Sequence, residues 1–160
     1  MEEHKINWKL LIPSVAIPLL VGGAAGILTS PMMEKFGEVP QPPLAPPGWL
    51  FPVAWTVLYT AMGVASYRVL RSAKPQREKE KAIKLYGLQL FMNFMWPLLF
   101  FGFGLYGFSF FWLLALLAAV ILTAVRFYRI DKAAGWLLVP YAAWVTFAGV
   151  LNFFIAKLNP

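Results

Sequence analysis

The chain has 160 residues, of which 60% are hydrophobic and 13% are charged, and its formal net charge is +7. Soluble domains are typically about 45–50% apolar and about 25% charged. The charges fall into short clusters separated by uncharged runs of roughly twenty residues, a length that spans the hydrocarbon core of a bilayer. The composition therefore excludes a soluble domain, a disordered tail and a disulfide-stabilised secreted scaffold, and it indicates an integral membrane protein.

Five apolar segments are long enough to cross a membrane as helices. They cover about residues 10–28, 49–69, 82–101, 108–125 and 133–156. We therefore predict an all-α integral membrane protein in which residues 1–160 form one domain, a five-transmembrane-helix bundle. The first segment could instead be a signal peptide. Its apolar run is longer than the about 7–15 residues of a signal-peptide core and no clear A-x-A cleavage site follows, so we favour a membrane span.

The connection between the first two predicted spans, residues 29–48, holds six of the 13 prolines. A proline-rich stretch favours a stiff, extended spacer. However, about twenty residues is more than a helical hairpin needs, and long loops in compact domains often act as lids. We favour a lid, in which Phe36, Leu44 and Trp49 would provide the apolar side chains to bury.

Lys and Arg residues are concentrated on one side of the predicted bundle. Twelve of the 14 lie in the N-terminal segment or in the second and fourth connections and their flanks, whereas Lys35 and Lys157 lie on the other side. Cytoplasmic connections of membrane proteins carry an excess of Lys and Arg. We therefore predict a cytoplasmic N-terminus and an external C-terminus. This asymmetry explains the charge of +7, and we expect no nucleic-acid partner.

Several chemistries are excluded by residue type. The sequence has no Cys, its one His is His4 in the N-terminal tail, and all seven acids lie in tails or connections. An intramembrane thiolate or imidazole ligand and a carboxylate relay of the kind that proton-coupled pumps use are therefore excluded. We predict no metal site.

Aromatic and polar residues repeat with helical spacing in the second, third and fifth spans, so each set lies along one helix face. The sets are Phe51, Trp55, Tyr59, Gly63 and Tyr67; Gln89, Asn93, Trp96 and Phe100; and Tyr141, Trp144, Ala148, Leu151 and Asn152. Near the span ends, Trp49, Trp112 and Trp136 are typical of the interfacial aromatic belt.

The deeper tryptophans have an indole N–H that needs a partner which lipid cannot supply. These residues are Trp55, Trp96 and Trp144. The most polar side chains in the spans are the amides Gln89, Asn93 and Asn152. Such amides either hold helices together or line a pocket for a flat apolar ligand, and the residues alone leave the two interpretations even.

Three stretches resemble the helix motifs of a known family. They are Pro46-Pro-Gly-Trp-Leu-Phe-Pro-Val-Ala-Trp55, Gln89-Leu-Phe-Met-Asn-Phe-Met-Trp96 and Leu138-Val-Pro-Tyr-Ala-Ala-Trp144. In that order they resemble motifs in the second, third and fifth helices of the TspO/MBR family, which includes translocator proteins (peripheral-type benzodiazepine receptors) and tryptophan-rich sensory proteins. The resemblance implies a five-helix bundle, often a homodimer, with a pocket that opens towards the loop after the first helix. We expect it to lie in a prokaryotic plasma membrane.

The resemblance also implies a membrane receptor or sensor that binds tetrapyrroles (protoporphyrin IX or haem) and benzodiazepine-site ligands, with the porphyrin as ligand and no required cofactor. By motif, the pocket residues are Trp55, Asn93, Trp144 and Ala148, and the same stripes add Phe51, Tyr59, Gln89 and Trp96. Since no His or Cys lies in the predicted spans, we expect metal-free porphyrin to bind as well as haem. The C-terminal sterol motif of mammalian members needs a Tyr, and this chain departs from it with Phe153 and Phe154 there.

Two other functions remain as alternatives. Some bacterial relatives are reported to promote light-dependent breakdown of a porphyrin, and in this chain Trp55 and Trp144 would be the redox partners. However, no general acid–base pair or activated nucleophile is present. A transporter is less favoured, because the chain has no internal repeat and no charge within its spans.

Overall fold

The structure, a computed structural model, describes residues 5–160, so the predictions that concern His4 lie outside the described residues. These residues fold into helices joined by short connections. The helices are α1 (Trp8–Phe36), α2 (Leu50–Arg71), α3 (Gln76–Pro97), α4 (Tyr106–Ile130), α5 (Lys132–Leu137) and α6 (Val139–Leu158). A π-helical turn, Leu98–Gly102, continues α3.

Five helical segments are long and apolar enough to cross a membrane, namely α1, α2, α3 with its π-helical turn, α4, and α5 with α6. The mean hydropathy of their most apolar windows ranges from 1.2 for the third to 2.5 for the fourth. The protein is thus an all-α integral membrane protein with five apolar helical segments, as predicted. The twelve Lys and Arg residues of the N-terminal segment and of the second and fourth connections lie at one end of these helices, which we call the basic end. Which side of the membrane this end faces stays a prediction.

The first helix is longer than the sequence predicts. The connection was expected to begin at residue 29, but α1 continues through Pro31 to Phe36, so this part of the prediction is wrong. A proline inside a helix leaves the carbonyl four residues earlier without its usual donor. Here the Ser30 hydroxyl donates to that carbonyl, the oxygen of Ile27, at 3.1 Å. The side-chain hydrogen bond replaces the missing backbone one, and residues 37–49 form the connection.

This shorter connection is tied to the end of the bundle that lies opposite the basic end. The amide of Asn159 donates to the Pro40 carbonyl at 3.2 Å, and Phe36 packs among aromatic rings. However, Leu44 is 62% exposed and Trp49 is 67% exposed, so the prediction that the connection buries them is wrong. An apolar side chain at the membrane boundary can face lipid instead of protein. The exposed ring of Trp49 fits the other prediction made for it, the interfacial aromatic belt.

Helices α1 and α2 touch through their backbones. A Cβ atom placed on Gly63 would lie 2.5 Å from Val15 Cα and 2.6 Å from the Ser14 carbonyl oxygen. A Cβ on Gly22 would overlap the ring of Tyr59. Only glycine fits at these two positions, and the close approach brings α1 against the face of α2 that carries the aromatic stripe.

The small residues of α1 that follow Gly22 divide between two faces. Ala25 is buried against the bundle, whereas Gly23, Ala24 and Gly26 are exposed. Nothing lies within 4 Å of a Cβ placed on Gly23 or Gly26. The homodimer that the family resemblance implies stays a prediction.

At the basic end, one carboxylate joins three helices. Asp131 accepts from Arg68 Nε at 3.0 Å and from Arg68 Nη2 at 3.2 Å, and it caps α5 by accepting from the Ala134 backbone N–H at 2.9 Å. Partial burial alone would raise the pKa of Asp131. The hydrogen bonds from Arg68 and Ala134, together with the Arg68 charge, outweigh that effect and hold the pKa below its ordinary value.

The last span is broken where the sequence has Pro140. Helix α5 ends at Leu137, Leu138 is fully buried at the break, and α6 begins at Val139 with Pro140 in its first turn, where the missing N–H costs nothing. Pro97 similarly ends α3 and is followed by the π-helical turn. Both prolines therefore change the helix geometry.

Candidate ligand-binding site

Five aromatic residues of α2 and α6 form one cluster, which we call the aromatic cluster. The rings of Phe51 and Trp55 contact the ring of Trp144 edge to face, with centroid–centroid distances of 5.9 and 6.2 Å. Trp55 stacks on Tyr59 at 5.4 Å and meets Tyr141 edge to face at 6.3 Å. Centroid distances of about 4.5–7 Å in these geometries are attractive. The helical spacing of the aromatic stripes thus brings the two helix faces together.

The cluster has a buried base and a partly accessible rim. The base consists of Tyr59, which is 7% exposed, and Tyr141, which is 1% exposed, while Phe51, Trp55 and Trp144 are half-buried. Within residues 5–160, the indole N–H groups of Trp55 and Trp144 donate no hydrogen bond to protein. The rim therefore presents flat apolar rings and two free donors.

A chain of hydrogen bonds, the polar chain, runs beneath the cluster. The Tyr59 hydroxyl donates to Asn93 Oδ1 at 3.4 Å, and Asn93 Nδ2 donates to the Tyr141 hydroxyl at 2.8 Å. The Tyr141 hydroxyl in turn donates to Gln89 Oε1 at 2.6 Å. All four residues are buried, and they belong to α2, α3 and α6. Gln89 Nε2 is a buried donor that has no partner among the described residues.

The polar chain shows that the two amides of α3 hold helices together. Hydrogen bonds of this kind contribute about 0.6–2 kcal/mol each within a membrane. Whether Asn93 and Gln89 also contact a ligand stays a prediction. Tyr141 belongs to the predicted stripe of the fifth span but not to the predicted site, although a hydroxyl at this depth requires a partner. The need of this hydroxyl for a hydrogen-bond partner is the feature of the sequence that could have identified Tyr141 as a site residue.

Trp96 lies in a neighbouring cluster. Its ring stacks on Phe100 at 4.9 Å, and its indole N–H donates to Asn152 Oδ1 at 3.1 Å. Asn152 Nδ2 donates to the backbone carbonyl of Tyr106 at 2.8 Å, and Phe36 closes the group from the end of α1 with its ring 5.2 Å from Phe100. This second cluster joins α1, α3, α4 and α6 and satisfies the indole of Trp96 internally.

The structure therefore brings most of the predicted site residues together. Ring contacts and hydrogen bonds connect Phe51, Trp55, Tyr59, Gln89, Asn93 and Trp144. Ala148 is buried on α6, one turn after Trp144 on the same helix face. Trp96 is the predicted site residue that lies in the second cluster instead.

The family of this chain follows from its similarity to known proteins. A model of the TspO/MBR family matches residues 14–158. The chain belongs to the TspO/MBR family. The match covers all five spans, so the resemblance in three helix motifs extends to the whole bundle.

Curated members of the TspO/MBR family align with 79–91% of this chain. The tryptophan-rich protein TspO of Chlorobaculum tepidum is 36% identical over 152 residues, which cover 91% of this chain and 93% of that protein. The translocator protein of Bos taurus is 33% identical over 147 residues, 89% of this chain and 87% of that protein. The tryptophan-rich sensory protein of Cereibacter sphaeroides is 34% identical over 126 residues, 79% and 77% of the two chains.

Proposed function

We propose that this protein is a membrane receptor or sensor that binds a tetrapyrrole, or a benzodiazepine-site ligand, against the rim of the aromatic cluster. The observation that carries the proposal is the pair of half-buried indoles, Trp55 and Trp144, whose N–H groups have no protein partner in the described part of the chain. The name of one relative, tryptophan-rich sensory protein, supports a sensing role.

The chemistry of the rim suits a flat apolar molecule with a few polar atoms. Ring faces of Trp55 and Trp144 supply apolar contact, and their N–H groups supply donors that no protein acceptor among the described residues occupies. The buried base beneath them, Tyr59 and Tyr141, is fixed by the polar chain, so the rim is held in place before a ligand arrives. Preorganisation of this kind lowers the entropic cost of binding.

The direct test is a titration of the purified protein with metal-free protoporphyrin IX and with haem, followed by quenching of tryptophan fluorescence. Because the proposed contacts are stacking and N–H donation, we expect similar affinities for both. Trp144→Ala should weaken binding about tenfold, which corresponds to about 1.4 kcal/mol. Trp136→Ala is the matched control, because Trp136 is 64% exposed and lies outside the cluster.

A second variant tests the base of the site. Asn93→Ala breaks the polar chain at its centre and should also weaken porphyrin binding, since Tyr59 and Tyr141 lose their common partner. Unchanged porphyrin affinity in both Asn93→Ala and Trp144→Ala would remove the proposed site. Binding of haem alone would show that metal ligation, and not stacking, holds the ligand.

The edge-to-face pair of Trp55 and Trp144 also favours a second candidate, light-dependent oxidation of a bound porphyrin. An indole next to the photoexcited ring donates an electron to it, and the reduced ring passes that electron to dioxygen, which becomes superoxide. The indole radical cation then takes an electron from the porphyrin, so the net one-electron oxidation of the porphyrin is balanced by the reduction of dioxygen. Trp55→Phe and Trp144→Phe keep an aromatic ring but remove the easily oxidised indole. A product yield under illumination that is unchanged in both variants, measured at saturating porphyrin, would exclude this reaction.

A further inference from the structure

A groove of about 220 Å³ lies between α1, α2 and α3, on the side of the bundle towards the basic end. Its walls include Ile17 of α1, Leu70 of α2, and Ile83 and Tyr86 of α3. It shares no residue with the aromatic cluster. Pockets for drug-sized ligands typically measure about 300–1,000 Å³, so this groove suits a slender apolar chain better than a tetrapyrrole.

One wall of the groove carries a buried hydroxyl, that of Tyr86. Among the described residues it makes no well-formed hydrogen bond, although the Ser66 hydroxyl lies close to it. The other two hydroxyls of the groove are satisfied within their own helices, since Ser14 donates to the Leu10 carbonyl at 2.8 Å and Ser66 donates to the Gly63 carbonyl at 2.9 Å. A buried polar group at membrane depth without a partner is costly, so Tyr86 would gain from an acceptor on a ligand.

Two cations stand at the basic end of the groove, Arg71 and Lys79. Among residues 5–160, both donate hydrogen bonds only to neutral acceptors. Arg71 Nη1 donates to the Lys5 carbonyl at 2.6 Å and to the Tyr67 hydroxyl at 2.9 Å. Lys79 Nζ donates to the Leu70 carbonyl at 3.1 Å and to the Ser72 carbonyl at 3.0 Å. Within residues 5–160, the one ion pair joins Arg68 to Asp131. The charges of Arg71 and Lys79 therefore have no acidic partner there.

The position of these cations relative to the groove follows from helix geometry. Lys79 precedes Ile83 by four residues and Tyr86 by seven on the same face of α3, and its ammonium group donates to the carbonyl of Leu70, which lines the groove. Arg71 lies about 100° further round α2 than Leu70 and is tied to the Lys5 carbonyl, shortly before α1 begins. Since side chains on a helix point towards its N-terminus, the Tyr86 hydroxyl lies on the side of the groove that faces Lys79. Apolar walls, the Tyr86 hydroxyl and two cations that have no acidic partner among residues 5–160 thus follow one another from the groove to the basic end.

We propose that this groove binds an anionic phospholipid: one acyl chain lies in the groove, a carbonyl oxygen of the lipid accepts from Tyr86, and the phosphate lies between Arg71 and Lys79. Basic pockets between membrane helices bind anionic headgroups, and each cation near the surface contributes about 1 kcal/mol. The site is separate from the aromatic cluster and does not depend on the proposed function.

The test compares phosphatidylglycerol with phosphatidylcholine as added lipids, with binding to the detergent-solubilised full chain measured by native mass spectrometry. Phosphatidylglycerol should bind more tightly. Arg71→Gln and Lys79→Gln should each reduce its affinity about fivefold, which corresponds to about 1 kcal/mol per cation. Arg129→Gln is the control, because Arg129 is an exposed cation at the same end, on α4.

A second pair of variants tests the groove itself. Ile17→Trp adds bulk at the groove, and Leu20→Trp makes the same change on α1 at a position that is 71% exposed and does not line the groove. Only Ile17→Trp should reduce phosphatidylglycerol binding. Tyr86→Phe, which keeps the ring and its packing on Phe127, should weaken binding without unfolding the bundle.

Three results would overturn the proposal. Equal affinity for the two lipids would exclude the phosphate contact, and wild-type lipid binding by Ile17→Trp would exclude the groove. Equal losses in the control variants would show unspecific attraction to the basic end. Porphyrin titrations of the same variants keep the two sites distinguishable, because a folded Ile17→Trp protein should bind porphyrin normally whether or not the lipid site exists.

Discussion

The backbone contact between α1 and α2 makes a sharp prediction about Gly63. In Gly63→Ala the new Cβ would lie 2.5 Å from Val15 Cα and 2.6 Å from the Ser14 carbonyl oxygen. Both neighbours are main-chain atoms, so no rotamer change can make room and the helices must separate. Gly23→Ala is the matched control, because nothing lies within 4 Å of a Cβ at that position of α1.

The comparison of the two variants isolates the steric effect. Alanine has a helix propensity about 1 kcal/mol more favourable than glycine, and this gain is present in both variants. Overpacking by one methyl group costs about 1–3 kcal/mol, and at Gly63 alone this cost is added. For a chain of this length, 1 kcal/mol shifts the melting temperature by about 2–4 °C, so Gly63→Ala should melt roughly 2–12 °C below Gly23→Ala.

The assay is thermal unfolding of both variants in the same detergent, followed by circular dichroism at one heating rate. Gly63→Ala should also lose phosphatidylglycerol binding, because the groove lies beside this contact, with Ser14 on one wall and Ser66 on another. If the two variants melt at the same temperature, the close approach of α1 and α2 at Gly63 is refuted.

Three further predictions concern the polar chain, the basic end and the site. Tyr141→Phe removes two buried hydrogen bonds between α6 and α3, and it should lower the free energy of unfolding by about 1–3 kcal/mol in denaturant titrations. Asp131→Asn keeps a cap for α5 but loses the charge that faces Arg68, so it should melt below the wild type at pH 7. Because the folded-state pKa of Asp131 is lowered, this difference should shrink once the pH falls below the ordinary pKa of an aspartate and should vanish as the pH falls through the lowered folded-state pKa. Gly22→Ala should displace the ring of Tyr59 and weaken porphyrin binding severalfold in the fluorescence titration.

Two of these predictions have a control variant in the same chain, and the prediction for Asp131 is checked by its pH dependence. Tyr128→Phe removes a hydroxyl from a tyrosine that is 44% exposed, and a loss of stability equal to that of Tyr141→Phe would contradict the polar chain. A pH-independent difference for Asp131→Asn would show that its charge does not stabilise the fold. Gly26→Ala adds the same methyl group in open space, and equal porphyrin affinities in Gly22→Ala and Gly26→Ala would contradict the contact with Tyr59.

Periodicity was enough to predict the span count and the inward faces of the helices. The i+4 spacing of Phe51, Trp55 and Tyr59 fixes a stripe on α2 by helix geometry alone, and the structure places that stripe against Trp144 of α6. Lipid cannot satisfy a backbone polar group, so each apolar segment has to be a helix. Because of this constraint, each transmembrane helix could be predicted from its own apolar segment alone.

The features that sequence reasoning missed depend on specific contacts. The end of α1 at Phe36 depends on the Ser30 hydroxyl, which compensates for Pro31 through a local hydrogen bond that proline statistics do not include. The role of Tyr141 depends on amides 48 and 52 residues earlier in the chain. No window of a single helix contains that information, so the stripes could be predicted but not their partners.

The polar chain has a consequence for how the helices associate while the protein is being synthesised. Its third span has the lowest mean hydropathy of the five, 1.2, and contributes the buried amides of Gln89 and Asn93, whose shared partner Tyr141 belongs to the last helix. While the ribosome is still synthesising α6, these amides have no hydrogen-bond partner from that helix. We therefore expect the nascent chain to hold its third span loosely, and open to membrane chaperones or proteases, until the final span has entered the bilayer.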